Sequence, residues 1–173
     1  MRNAVLVSAV RTPVGKRGGV YKTLTRLDLT TPVVQEALNR AQITSDEVEE
    51  NIWGNIPLYF TPSRYVWLTA DGNVDTGCLT VNRGCGTGLA ALTTAGALIQ
   101  GGFGEIYTCG GVEQDSRNVA YLHNDRPYDG GTPYVNTLFS SPVDPYGNPV
   151  MVQTAENIAK KLGITRQECD EYA

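Results

Sequence analysis

Short apolar runs and stretches with helical periodicity alternate along the first 113 residues. The apolar runs, each bounded by polar residues or glycine, predict β-strands at residues 4–10, 50–56, 78–82 and 105–112. Helical spacing fills the intervals between these runs, with a long uncharged helix predicted from Gly86 or Thr87 onward. Strands separated by helices are typical of βαβ units, so we expect an α/β fold with a mainly parallel sheet and helices on both faces.

Several polar residues indicate where the helices begin. We expect Thr30 or Thr31 to cap the first helix, with Pro32 in its first turn. The spacing of Thr44 and Glu47 matches a capping box and predicts a short second helix. Near the end of the chain, Thr165 is expected to cap one more helix.

The composition changes after Glu113. Residues 114–149 are rich in Pro, Gly, Asn, Asp and Tyr, and the run is too long for a simple connection between elements. We interpret it as the start of an inserted loop or lid region, followed by a helix that Gly163 ends. The predicted domains are an incomplete N-terminal α/β domain at residues 1–114 and the beginning of a loop domain at 115–173.

Charge and hydropathy exclude some classes of protein. The 173 residues carry a net charge of −4 and a pI near 5.0, which argues against nucleic-acid binding. Six basic residues within 1–27 favour a solvated surface or a site for an anionic ligand. Residues 84–104 lack charge but contain seven glycines, so we expect a buried helix and no membrane span. With no secretion signal recognised, a cytoplasmic location is expected.

The cysteines do not form a metal-binding pattern. Four are present, without a C-x-x-C pair, and the chain has one histidine, so no metal site is expected. Cys78 and Cys109 fall within predicted strands and are expected to be core residues, and Cys169 on a charged terminal helix is expected to be incidental.

Cys85 has a different setting, in the sequence TVNRGCGTGLAAL. It follows a predicted strand and precedes a predicted helix, at the strand end where open α/β sheets place ligands. A helix N-terminus favours thiolate over thiol, and the flanking glycines allow a substrate to approach the backbone. These features suit a nucleophile that accepts an acyl group. A small buried apolar cysteine is the alternative.

The combination of motifs resembles the N-terminal part of the thiolase family, of the acetyl-CoA acetyltransferase or 3-ketoacyl-CoA thiolase kind. The opening VLVSAVRTPVGKRGG, WGN at 53–55, the Cys85 segment and CGGVEQDSR at 109–117 resemble family motifs in the family's order. The segment VDPYGNPVMVQTAENIAKKLGITRQECDEYA resembles the entry to the family's loop domain and its helix pair.

The resemblance implies a mechanism and partners. Cys85 would attack an acyl-CoA thioester to form an S-acyl-cysteine, and a second thioester or CoA would then extend or cleave the chain. No metal or tightly held cofactor is implied. A homo-oligomer, or a complex with a C-terminal thiolase half, is implied as the assembly.

The sequence departs from the family pattern near the predicted loop domain. Val150 and Met151 stand where biosynthetic members commonly have His-Met, and Val152 replaces a usual glycine. Met151 is a candidate for the acyl pocket, and the alternative is a core methionine. Residues 57–70 also differ from the family, which leaves chain-length preference and subunit contacts open.

Thiolases further carry a second half with two histidine motifs and an acid/base cysteine, which the 173 residues lack. His123, in a polar loop, is expected to be an ordinary loop residue. Two functions are therefore weighed. One is the nucleophile-bearing piece of a thiolase, completed by a further region or chain and incomplete alone. The other is a non-catalytic acyl-CoA-binding or assembly subunit.

Overall fold

The structure is a computed structural model of the chain. It describes residues 2–55, 62–114, 116, 121–123, 134–136 and 151–173. The chain divides into two compact units, Met1–Asn118 and Val119–Ala173. The domain boundary predicted after residue 114 stays a prediction.

A parallel three-stranded sheet forms the centre of the first unit. Its strands are β1 (Glu50–Gly54), β2 (Gly77–Val81) and β3 (Tyr107–Gly111), in the order β2-β1-β3. Both pairings are parallel, with Gly54 opposite Val81 on one side and Gly111 on the other. The carboxyl ends of all three strands therefore lie at one edge of the sheet.

Helices pack on both faces of this sheet. Successive side chains of β1 point to opposite faces, so neighbouring residues of the strand contact different helices. Trp53 packs in a cluster with residues of α1 (Arg26–Ala41) and α2 (Pro62–Thr69), among them Val34 and Trp67. Ile52 points to the other face, where it packs against Ala91 and Ala95 of α3 (Thr87–Gly101). The predicted α/β fold with a parallel sheet is confirmed.

A buried amide joins the strands to α2. Asn51 of β1 is fully buried, and its amide nitrogen donates to the Ser63 carbonyl at 2.8 Å. Its amide oxygen accepts from the Thr108 hydroxyl of β3 at 2.7 Å. Because a buried amide left without partners is costly, these bonds favour one arrangement of α2 on the sheet.

The strand predicted at residues 4–10 is not formed. This segment has no regular secondary structure, and Val5 and Val7 are 74% and 71% exposed. A cavity of about 470 Å³ lies between residues 5–12, α1 and β3. The segment has the apolar composition of a strand, but a strand also needs a hydrogen-bonded neighbour. No strand among the described residues pairs with it.

The first helix begins earlier than predicted. Thr25 caps α1 through a capping box with Asp28, whereas Thr30 and Thr31 lie inside the helix, as does Pro32. The Thr30 hydroxyl donates to the Arg26 carbonyl at 3.0 Å, so it is satisfied within the helix and does not cap it. The capping box of Thr44 and Glu47 is confirmed, at the start of a single 3₁₀ turn, Ser45–Glu47.

The second unit contains a short antiparallel pair, β4 (Tyr121–His123) and β5 (Tyr134–Asn136), and two helices. The helices are α4 (Met151–Leu162) and α5 (Arg166–Tyr172). Gly163 follows α4 with φ +71°, a conformation that glycine adopts readily, and Thr165 caps α5 as predicted. Most of the predicted lid region lies outside the described residues. Among the residues that the structure describes, no helix is long and apolar enough to cross a membrane.

Candidate functional site

A cavity of about 250 Å³ lies at the carboxyl edge of the sheet. Its lining comes from the end of β1, the residues after β3 and the start of α3, and it includes Cys85, Gly88 and Glu113. This is the edge at which open α/β sheets bind their ligands. The structure therefore places the predicted nucleophile in a cavity at the predicted end of its strand.

The turn that carries Cys85 depends on its flanking residues. Gly84 has φ +52°, and its N–H donates to the Asn82 side-chain oxygen at 2.9 Å. The N–H of Gly86 donates to the Arg83 carbonyl at 3.0 Å, which closes the turn. Cys85 is exposed, and α3 begins two residues later at Thr87. The first-turn N–H groups of α3, which lack partners within the helix, are therefore close in sequence to the thiol.

Thr87 follows Cys85, and its hydroxyl bonds to the two residues that precede the cysteine. It accepts from the Arg83 N–H at 2.9 Å and donates to the Gly84 carbonyl at 2.6 Å. The N–H of Thr87 also reaches the Gly84 carbonyl, at 3.1 Å. Thr87 is only 5% exposed, so these bonds are shielded from water.

Glycines bring three backbones together beside the thiol. A side chain at Gly54 would overlap the Thr87 methyl group and would lie 2.5 Å from the Val81 carbonyl oxygen. A methyl group at Gly111 would lie 3.2 Å from the Gly54 carbonyl oxygen. At Gly88 a methyl group would meet nothing within 4 Å. The first two glycines permit close packing, and Gly88 leaves open space next to Cys85.

The two strand cysteines differ from Cys85 in their surroundings. Cys78 and Cys109 are half-buried, as their position in strands predicted. Burial raises the pKa of the Cys109 thiol, and burial also raises that of Cys78. Both are therefore less available as thiolates at neutral pH than an unburied thiol. Cys169, on α5, is exposed.

The other candidate residues belong to the second unit. Met151 is the first residue of α4 and is 75% exposed, so within its own unit it is not a core residue. Its acyl-pocket role stays a prediction. His123 ends β4, and Val150 and residues 57–61 lie outside the described residues. In the part of the chain that the structure describes, no group of three or more metal-ligating side chains occurs.

Sequence reasoning missed Thr87 and Asn82 as residues of the site. Both carry side chains that commonly bond to nearby backbone groups, and both lie within three residues of Cys85. That spacing at a strand-to-helix turn is the signal that would have indicated them.

Comparison with known proteins shows the family to which the chain belongs. A family model described as "Thiolase, N-terminal domain" matches residues 4–173. Acetyl-CoA acetyltransferase of Escherichia coli (strain K12) is 36% identical over 182 residues, which cover all of this chain and 46% of the relative. Mitochondrial 3-ketoacyl-CoA thiolase of Rattus norvegicus is 32% identical over 183 residues, which cover 45% of that relative.

A solved structure agrees with these matches. The crystal structure of the Bacillus anthracis acetyl-CoA acetyltransferase superposes with a TM-score of 0.85 at 32% identity, over 99% of this chain and 45% of that chain. The chain thus belongs to the thiolase family. It spans less than half the length of these relatives.

Proposed function

We propose that this chain is the nucleophile-bearing part of a thiolase-type acyltransferase. The observation that carries the proposal is the position of Cys85, exposed on a glycine turn at the start of α3 and lining a cavity of about 250 Å³. Family membership supports the same conclusion, since the matched relatives are named acetyl-CoA acetyltransferase and 3-ketoacyl-CoA thiolase.

The proposed reaction begins with the thiolate of Cys85. Its sulfur attacks the carbonyl carbon of an acyl-CoA thioester, the bond between that carbon and the CoA sulfur breaks, and CoA leaves and takes up a proton. The product is an S-acyl-cysteine. In the condensing direction, a second thioester loses a proton from its α-carbon, that carbon bonds to the acyl carbon, and the bond between the acyl carbon and the cysteine sulfur breaks. In the cleaving direction, the thiolate attacks the 3-keto carbon of a 3-ketoacyl-CoA, the bond between that carbon and the α-carbon breaks, and the α-carbon takes up a proton, which releases a shortened CoA thioester. CoA then takes the acyl group from the cysteine sulfur as a second thioester.

The open space at Gly88 supports this assignment. An acyl group on the sulfur of Cys85 needs room beside the thiol, and a methyl group at Gly88 would meet no atom within 4 Å. The substrate class is CoA thioesters, and we propose that no metal or tightly bound cofactor takes part. A cytoplasmic location also stays a proposal, since some of the relatives are mitochondrial.

We further propose that the 173 residues need a second protein region for turnover. The reaction needs a base that activates the thiol and a group that moves the proton of the second substrate. The sequence contains one histidine, His123, in the second unit. By the resemblance, the family carries these groups in its second half. A homo-oligomer or a complex with that half is the proposed assembly.

The test is the intact mass of the purified chain after prolonged exposure to acetyl-CoA. We expect the mass to increase by one acetyl group, with peptide mapping placing it on Cys85. Cys85→Ser should abolish the increase, whereas Cys169→Ser, which removes the other exposed thiol, should not. Acetylation of Cys169 and Cys85 to the same extent would indicate unspecific chemistry. Binding of acetyl-CoA without acylation would favour the non-catalytic subunit.

A further inference from the structure

We propose that Thr87 is a positioning residue that holds Cys85 at the start of α3. The proposal rests on the assignment of Cys85 as the nucleophile. Its basis is the pair of hydrogen bonds at the Thr87 hydroxyl, 2.9 Å from the Arg83 nitrogen and 2.6 Å to the Gly84 oxygen. We call this pair of bonds the Thr87 clasp.

The Thr87 clasp bridges the turn across Cys85. Arg83 and Gly84 precede the cysteine, and Thr87 follows it, so one hydroxyl joins both sides of the turn. The hydroxyl has one proton to donate, which goes to the Gly84 carbonyl, and it accepts the Arg83 N–H. The side chain is 5% exposed, so water does not readily replace these bonds.

The rest of the Thr87 side chain fixes the clasp to the sheet. Its methyl group occupies the space that a side chain at Gly54 would need. Gly54 ends β1 and pairs with both neighbouring strands, so its backbone position is set by the sheet. Thr87 therefore fixes the position of the turn relative to the carboxyl edge of the sheet, where the cavity lies.

The remaining bonds of the turn do not replace the clasp. Asn82 accepts from the Gly84 N–H, and the N–H of Gly86 donates to the Arg83 carbonyl. The N–H of Thr87 donates to the Gly84 carbonyl. None of these three bonds engages the Arg83 N–H. Without the Thr87 hydroxyl, the Arg83 N–H loses the partner that the structure gives it. The partial charge at the start of α3 acts on the attacking sulfur only while the turn holds that sulfur near it, because the effect of the helix charge falls off within one turn. Loosening the turn should therefore lower the reactivity of Cys85.

Two substitutions separate the hydroxyl from the packing of Thr87. Thr87→Val keeps the shape and the methyl group but removes the clasp, whereas Thr87→Ser keeps the hydroxyl and removes the methyl group. The measurement is the rate of iodoacetamide alkylation at Cys85, followed by peptide mapping at neutral pH. We expect the rate to fall about fivefold in Thr87→Val, the factor that a helix terminus contributes to an adjacent charge. Thr87→Ser keeps both bonds of the clasp and should lose clearly less of the rate than Thr87→Val.

Two results would overturn the proposal. One is an unchanged rate in Thr87→Val with the fold retained by circular dichroism, and the other is an equal loss of rate in Thr87→Ser. If Thr87→Val does not fold, amide hydrogen exchange of the wild-type chain decides. The Arg83 amide should exchange slowly, and exchange at the rate of an unprotected amide would contradict the clasp. Acyl transfer that survives in Cys85→Ser would refute the proposed nucleophile instead, and would leave the alkylation comparison intact.

Discussion

Cys85 is exposed because of the backbone around it. The left-handed Gly84 and the short turn to Thr87 place the thiol at the surface of the cavity, whereas Cys78 and Cys109 extend from strands toward helices. The same residue type thus occurs in two settings within the first unit, and the local backbone decides which. A thiol at a strand-to-helix turn is open to a substrate, and a thiol within a strand serves mainly as a core side chain.

We predict that Cys85 is the most reactive of the four thiols. Burial raises the pKa of Cys109 and Cys78, so their thiolates form only at higher pH, and alkylation of both should be slow at neutral pH and increase as the pH rises. Limited treatment with iodoacetamide and peptide mapping of the folded chain would check this. Cys169 is the control, since it is exposed but lies on a seven-residue helix of the second unit. Labelling of Cys169 while Cys85 stays unmodified would refute the prediction.

The sequence was sufficient to predict that Cys85 lies at a strand-to-helix turn, but not that Thr87 bonds across that turn. Glycines on both sides of a cysteine, after a strand and before a helix, can be read directly from the residue order. A hydroxyl that bonds back across a turn depends on the φ and ψ angles of that turn, which the residue types alone do not specify.

At the scale of elements, the strands and helices of the first unit follow the apolar pattern with few exceptions. The exceptions have different physical causes, one of them local and the others not. Residues 4–10 have the composition of a strand but no strand partner in the part of the chain that the structure describes. The start of α1 is set by the Thr25–Asp28 capping box, which lies five residues before the threonine pair from which the start was predicted. The pairing order β2-β1-β3 likewise depends on contacts between distant residues.

The contact between β1 and α3 gives a prediction about stability. Gly54→Ala should lower the free energy of unfolding by about 1–3 kcal/mol, because the new methyl group would overlap the Thr87 methyl group and the Val81 carbonyl oxygen. Chemical unfolding in urea, followed by circular dichroism, is the measurement. The loss should be accompanied by slower alkylation of Cys85, since Thr87 would have to move.

Gly88→Ala is the matched control for this substitution. The added methyl group meets nothing within 4 Å, and its backbone is helical, so stability should stay equal or rise by up to about 1 kcal/mol. Equal stability of the two alanine variants would contradict the close packing of β1 against α3 at Gly54.

At the scale of the whole molecule, the first unit leaves apolar surface uncovered. Val5, Leu6 and Leu89 are 74%, 68% and 66% exposed, and β3 has no strand on its outer side among the described residues. An open strand edge and exposed apolar side chains both favour association with another chain.

We therefore predict that the purified 173-residue chain self-associates, or binds a protein that corresponds to the second half of a thiolase. Sedimentation velocity over a range of micromolar concentrations should show a mean mass that rises with concentration, or a stable complex when the second protein is added. Leu89→Glu should reduce the association, because it puts a charge on the exposed face of α3. A monodisperse monomer that is stable to heating would contradict the prediction.

The last prediction is that the 173 residues alone are not a competent thiolase. Cys85 can supply the nucleophile, but the turnover step also needs a base for the thiol and an acid/base group for the second substrate. One such group typically contributes about 10²–10⁴-fold to the rate. Losses of groups that act together do not multiply, so we expect turnover at least about 100-fold below that of a complete enzyme.

The assay is cleavage of acetoacetyl-CoA or a longer 3-ketoacyl-CoA with added CoA, for the chain with and without a C-terminal thiolase half. Activity should appear with the second half present and disappear again in Cys85→Ser. Full activity of the isolated chain would mean that a residue within the 173 acts as the base, and His123 is the first to test because it is the one histidine of the sequence. In that case His123→Ala should abolish the activity, and the second unit would have to bring that side chain to the thiol.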